Sequence, residues 1–263
     1  MITFIACPRE FVSPYAVVQR NAILSWKRLS SCKNIVLCGN DGGIKEFCEE
    51  HDLIHEPDIK ISDSSVPILP SALHHGYKHA DKMVCYINSD ILLTSDFDKT
   101  VKSLMEKFSE EEKMMVVGRR KDIDFDSEII FNDDWERKFL DEVDEKSKKF
   151  NETCVIDYFL HTKSTYDGVD IPEFRIGRFC WDGWLVHNVI SRGLFSVDIT
   201  NTAPVLHLNS PYKESGKVVD WQALQRCQDG KFNKSAARGC KYVFTTNALF
   251  ESHLEGGVCF SKR

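Results

Sequence analysis

The feature that most constrains this chain is an alternation. Through residues 1–117, short apolar runs of strand length alternate with longer amphipathic stretches, and most of the runs end in small polar turns. The runs cover residues 2–7, 34–38, 52–55, 83–87 and 113–117. Helices are predicted between them, over residues 14–29, 44–50, 71–80 and 96–108. In the first helix Val17, Val18, Ala22, Leu24 and Trp26 form an apolar stripe, and Pro14 suits its opening turn. Strands and helices alternating at this spacing predict an α/β fold around a mainly parallel sheet. Such sheets bind ligands beyond the carboxyl ends of their strands. That directs attention to three polar loops, residues 7–13, 39–43 and 88–90.

The second half is less regular. Helices are predicted at 132–143 and 181–191, a strand at 154–160, and short extended pieces at 196–199 and 203–206. The charged run at 144–149 reads as a solvated face or a lid. From about residue 210 the chain is polar and aromatic, which suggests an arm folded over the site. No linker divides the chain, and with 263 residues, 42% of them hydrophobic, it can bury a large single core.

The totals also exclude several classes. No window approaches the roughly 20 apolar residues of a membrane span. The opening MITFIACPRE has no basic stretch before a long apolar run, so no signal peptide is expected. The ten cysteines contain no CxxC pair, and the spacing of Cys32, Cys38 and Cys48 suits no zinc ribbon; reduced thiols are expected. A net charge of −6 argues against a nucleic-acid surface.

Several residues could carry chemistry. Asn88-Ser89-Asp90 follows the strand at 83–87. A carboxylate there can hold a hard divalent cation against a diphosphate, or simply serve a turn. Gly39-Asn40-Asp41-Gly42-Gly43 is neither a dinucleotide fingerprint nor a P-loop; Asp41 could meet a base or ribose, or the loop could be a plain turn. Arg119 and Arg120 suit diphosphate recognition, or a surface ion pair with Asp122 or Asp124. Trp181-Asp182-Gly183-Trp184 sets a carboxylate between two rings that could stack on sugars; the alternative is an N-cap between core tryptophans. Asp157 needs a partner if buried, Arg178 being one choice. His207 offers a metal-ligating nitrogen after a short strand.

Taken in order, these segments resemble a family of small nucleotide-sugar transferases with the GT-A fold. The likeness rests on residues 19–26, 39–43, 64–67, 86–91 and 117–120, then Asp157-Tyr158-Phe159, 176–178, 181–184, 197–200 and 205–207. It spans roughly residues 1–212. It implies a single Rossmann-like domain with a central, mainly parallel mixed sheet. The nucleotide-sugar half would cover about 1–120 and the acceptor half about 121–212, with residues 213–263 an extension packed on the same domain. In this reading Asn88-Ser89-Asp90 stands where the family carries its DxD motif, with Asn88 in place of the first Asp. Asp90 and His207 would hold Mn²⁺ or Mg²⁺. Asp41, Asn88, Ser89, Arg119 and Arg120 would bind the nucleotide sugar, and Trp181 and Trp184 would stack on the acceptor sugar. Asp182 would be the catalytic base, with Asp157 the second choice.

The implied activity is metal-dependent transfer from a UDP-sugar to a hydroxyl of a glycan or glycoprotein, with inversion. The implied location is a soluble protein of the cytoplasm, the host's cytoplasm if the chain is viral. A sugar-phosphate nucleotidyltransferase and a non-catalytic carbohydrate-binding protein are the alternatives. The first normally has a glycine-rich loop after its first strand, where this chain has Pro8-Arg9-Glu10-Phe11. The second would keep the tryptophans without needing Asp90.

Overall fold

The computed structural model describes residues 1–13, 15–143, 150–153, 155–209, 220–240 and 244–263. The first half runs β1 (Ile2–Ala6), α1 (Tyr15–Lys27), β2 (Cys32–Cys38), α2 (Ile44–His51), β3 (Ile54–Glu56), α3 (Leu69–Tyr77), β4 (Met83–Ile87), β5 (Ile91–Leu92), α4 (Ser95–Lys107) and β6 (Met114–Val117). The second half continues with β7 (Arg120–Asp124), α5 (Trp135–Glu142), β8 (Tyr158–Thr162), α6 (Trp181–Ser191), β9 (Phe195–Asp198), β10 (Val205–Asn209), α7 (Trp221–Arg226), α8 (Gln228–Ala236), β11 (Phe250–Leu254) and β12 (Val258–Lys262).

Nine strands form one sheet in the order β12-β11-β9-β6-β8-β4-β1-β2-β3, and three form a second, β5-β10-β7. In the large sheet β8 runs antiparallel to both neighbours, β4 and β6, and β12 runs antiparallel to β11; the other pairings are parallel. The mainly parallel mixed sheet is the one expected.

β1, β4 and β6 and the second half of β2 are buried on both faces, which is why they read as continuous apolar runs. Side chains alternate between two cores. Phe4, Leu37, Cys85 and Ile87 meet Ala22, Ile23 and Trp26 of α1 and Phe97, Val101 and Leu104 of α4. Ile5, Val36, Val84 and Tyr86 meet Leu69, Ala72 and Leu73 of α3 and Leu185, Val186 and Val189 of α6. The result is a three-layer α/β/α sandwich. Among the described residues no helix is long and apolar enough to cross a membrane.

The charged stretch at 120–124, absent from the expected elements, is a strand, β7, because β10 supplies a parallel ladder for it. Two expectations need correction. The strand expected at 154–160 begins only at Tyr158, and Cys154 lies outside the described residues. The chain beyond 210, expected as an arm folded over the site, is regular structure where it is described: it forms α7, α8 and a hairpin whose β11 joins the large sheet beside β9. Pro14, the charged run at 144–149 and residues 210–219 lie outside the described residues.

Candidate functional site

β4 ends at Ile87 and the chain turns at once: Ile91 N–H donates to Asn88 O at 3.2 Å. Because β8 runs antiparallel, its entry lies beside the exit of β4, with Ile87 opposite Tyr158. Asp157 therefore arrives next to Asn88. The Asn88 backbone N–H donates to Asp157 O at 3.0 Å, and its side-chain Nδ2 donates to Asp157 Oδ1 at 2.7 Å. An aspartate at 88 would face another carboxylate there; the amide supplies the donor that Asp157 needs. Ser89 donates to Oε1 of Gln19, 3.0 Å away. Gln19 is buried in α1 and also clasps the backbone of Arg9 in both directions, so it ties the loop after β1 to this turn.

The small sheet brings the remaining groups. β10 places His207 opposite Ile91 of β5 on one side and opposite Asp122 of β7 on the other. His207 Nε2 lies 3.4 Å from Asp90 Oδ2, and its Nδ1 lies 3.0 Å from Asp122 Oδ1. Arg120 shares a face of β7 with Asp122, two residues on. Its Nε lies 3.0 Å from Asp122 Oδ1, and its Nη1 donates to Asp157 Oδ2 at 2.6 Å. Asp90, His207, Asp122, Arg120, Asp157 and Asn88 thus form a chain of polar contacts that begins and ends on one turn. Three carboxylates face two cations.

The electrostatics follow from that arrangement. Burial works against charge on His207, but Asp90 and Asp122 outweigh it and hold the imidazole up to about 10, protonated at neutral pH. Burial likewise opposes ionisation of Asp90 and Asp122, yet His207 and Arg120 keep both below the usual carboxylate range. Arg120, despite its burial, is held above its ordinary value by Asp157 and Asp122.

Asp182 lies in α6, which packs on the other face of the large sheet from α1 and α4. It is the second residue of α6, not an N-cap; Cys180 holds that position, in the left-handed region at φ 79°. Asp182 Oδ1 accepts the N–H of Gly183 at 2.8 Å. Burial, with a smaller contribution from the charge of Asp157, pushes the Asp182 carboxyl up to about 6 against the pull of that N–H. α8 braces the segment leading into α6. Asn233 Nδ2 donates to Arg175 O and Phe179 O at 2.9 and 3.0 Å, and Asp229 pairs with Arg175 at 3.5 Å.

Other expected residues lie elsewhere. Trp181 is buried, with Tyr86 and Phe159 rings against it at 5.4 and 5.1 Å, so it packs the core and offers no open face to a sugar. Trp184, half-buried against Phe174, keeps some exposure. Arg119 lies over the Phe150 ring at 5.0 Å, outside the polar chain, although its backbone N–H donates to Thr200. Asp41 is exposed in the turn after β2, also apart from that chain. Asp157 takes Arg120, not Arg178, as its cation.

Asp122 and Gln19 join the site without having been singled out as functional. The i, i+2 spacing of Arg120 and Asp122 was the available signal for the first. A glutamine among the apolar residues of the first helix was the signal for the second.

A divalent cation suits part of this arrangement. Asp90 Oδ1 is buried without a hydrogen-bond partner among the described residues, and a hard cation accepts such an oxygen. His207, between Asp90 and Asp122, is held protonated; to act as a ligand through a ring nitrogen it has to give up the proton on that nitrogen.

No family model matches the chain, and no curated protein matches it. Among solved structures it is similar to S. aureus TarS 1-349, with a TM-score of 0.44 and 11% identity over 80% of this chain. The same fragment in complex with UDP gives 0.42 and 12% over 80%. The chain spans 58% of the length of each TarS structure. It is also similar to 4-diphosphocytidyl-2C-methyl-D-erythritol synthase from Anaerococcus prevotii, with a TM-score of 0.45 and 16% identity over 90% of this chain and 96% of that one.

Proposed function

We propose that the chain is a glycosyltransferase of the GT-A type, moving a sugar from a UDP-sugar to a glycan hydroxyl with inversion. Two observations carry this reading: beside the turn after β4 an Asp90 oxygen has no hydrogen-bond partner among the described residues, and the half-buried Asp182 carboxyl, pushed up to about 6 by burial, also feels the charge of Asp157, the residue paired with Asn88 in that turn. The first suits a cation-bridged diphosphate. The second suits a general base working near neutral pH.

In this mechanism Asp90 would hold the cation, with a deprotonated His207 as a second ligand. Mn²⁺ or Mg²⁺ held there would supply positive charge for a diphosphate leaving group. Arg120 fixes Asp157 and Asp122, and so the walls of the site. Asp182 accepts the proton of the attacking hydroxyl while the sugar–phosphate bond breaks. A single base acting in one displacement fits inversion.

The test is a thermal-shift screen of UDP-sugars with and without Mn²⁺, followed by a transfer assay. A donor should raise the melting point in a metal-dependent way, and Asp90→Ala should abolish both that shift and transfer. Release of UDP, with no pyrophosphate, separates sugar transfer from nucleotidyl transfer. Survival of both shift and transfer in Asp90→Ala would sink the proposal.

A further inference from the structure

The C-terminal hairpin carries a second group of ligating side chains. His253 on β11 and Cys259 on β12 are directly opposed across the ladder. Glu255 lies two residues beyond His253, at the start of the turn, and so follows it on the same face. The ligand atoms of these three residues all lie within 4.8 Å of one another. His253 Nε2 is 3.6 Å from Glu255 Oε2.

The backbone beneath them is fixed. On the opposite face Ser252 and Phe260 are buried. Thr202 donates to the Ser252 hydroxyl at 2.8 Å, and Asn201 Nδ2 donates to Ser252 O at 3.3 Å. At the base, Arg263 pairs with Glu251 and Asp198 at 2.9 and 3.0 Å. The turn itself is closed by Glu255 N–H donating to Gly257 O at 2.9 Å, with Gly256 at φ 68°, a conformation that favours glycine. A rigid inner face therefore presents imidazole, carboxylate and thiol together to solvent.

We propose that His253, Glu255 and Cys259 bind Zn²⁺. One nitrogen, one oxygen and one sulfur donor form a mixed set that this borderline-soft ion accepts in tetrahedral geometry. A magnesium-type ion, which wants oxygen alone, does not suit it. A thiolate and a carboxylate neutralise the dication. Three protein ligands leave the fourth position to water or to a group from another molecule. The ion would cross-link β11 and β12 at the turn end of the hairpin, in addition to the backbone ladder that joins them.

Cobalt(II), a spectroscopic substitute for zinc, tests the site. The intact chain should bind one equivalent with a thiolate-to-metal charge-transfer band, and Zn²⁺ should bleach the band on displacing it. Cys259→Ser should abolish the band, and His253→Gln should weaken binding at least tenfold. Both side chains reach solvent, so neither change threatens folding. Asp90→Ala should leave the band untouched, which separates this site from the one beside β4. A full-strength band in Cys259→Ser, its absence from the unmodified chain, or its loss in Asp90→Ala would each overturn the assignment.

Discussion

Asp182 enters α6 half-buried, and burial is the main reason its carboxyl titrates near 6. The sign of the consequence for stability is fixed. A carboxyl whose folded value exceeds its unfolded one binds more protons in the folded state between the two, so stability falls as pH rises through that window. Asp182→Asn removes the penalty. Urea unfolding should find the variant more stable than the parent above pH 6, by roughly 1–3 kcal/mol, with the difference vanishing near pH 3. Transfer should fall by a factor of about 10²–10⁴, while nucleotide-dependent thermal stabilisation persists. The parent's rate should decline below about pH 6 as the base takes up its proton. Arg120 behaves in the opposite sense. It holds Asp157 and Asp122 from two nitrogens, and Arg120→Ala leaves both carboxylates without that cation, a loss of about 3–5 kcal/mol. Arg120→Lys should recover only part of it in denaturant titrations, since one ammonium cannot reproduce the fork.

At the scale of elements, the site depends on two strands whose sequence does not advertise them. Residues 120–124 read Arg-Lys-Asp-Ile-Asp, and β5 is only two residues long. The first offers no apolar run and the second, though apolar, is too short to read as a strand; both exist because β10 lies between them as a template. The apolar strands β1, β2, β4 and β6 and the helices around them were legible because burial on both faces leaves a continuous hydrophobic record. Asp90 and His207 were legible as polar residues at the ends of such runs, Asp157 as a carboxylate within a strand pattern, and Asp182 as a carboxylate between tryptophans at a helix start. Their mutual pairing was not, because the register of β10 against β7 leaves no local trace. The role of Trp181 was misread for a related reason: a tryptophan at a helix start looks the same whether it faces sugar or core. Gly118 joins β6 to β7, and a Cβ there would stand 2.5 Å from the Tyr158 hydroxyl and 3.3 Å from Thr200 N. Gly118→Ala should therefore cost about 1–3 kcal/mol by pushing β7 away from β8. Because Arg120 is two residues away, the same variant should also weaken nucleotide binding in the thermal-shift assay.

For the whole molecule, the question is whether residues beyond 212 are an appendage or part of the cooperative unit. The contacts favour the second. Phe108 at the end of α4 and Phe195 of β9 pack with Phe250 and Phe260 of the hairpin, ring centroids 4.6–5.6 Å apart. Arg263 reaches buried Asp198, which accepts from Thr200, and Thr200 in turn accepts the backbone N–H of Arg119. The end of the chain is thus wired through β9 to the strand that carries Arg120. Phe260→Ala is the sharpest probe, since the ring is buried and touches no candidate site residue. It should cost about 3–5 kcal/mol, on the order of a 10 °C fall in melting temperature for a domain of this size. If the hairpin belongs to one unit, calorimetry will show the entire transition move down as a single peak, with calorimetric and van't Hoff enthalpies still equal. An independent tail would instead leave the main peak in place and shift only a minor one. The same experiment followed by Trp fluorescence should give coincident curves, because Trp26 and Trp181 lie in the cores on opposite faces of the sheet and report on both layers of the sandwich.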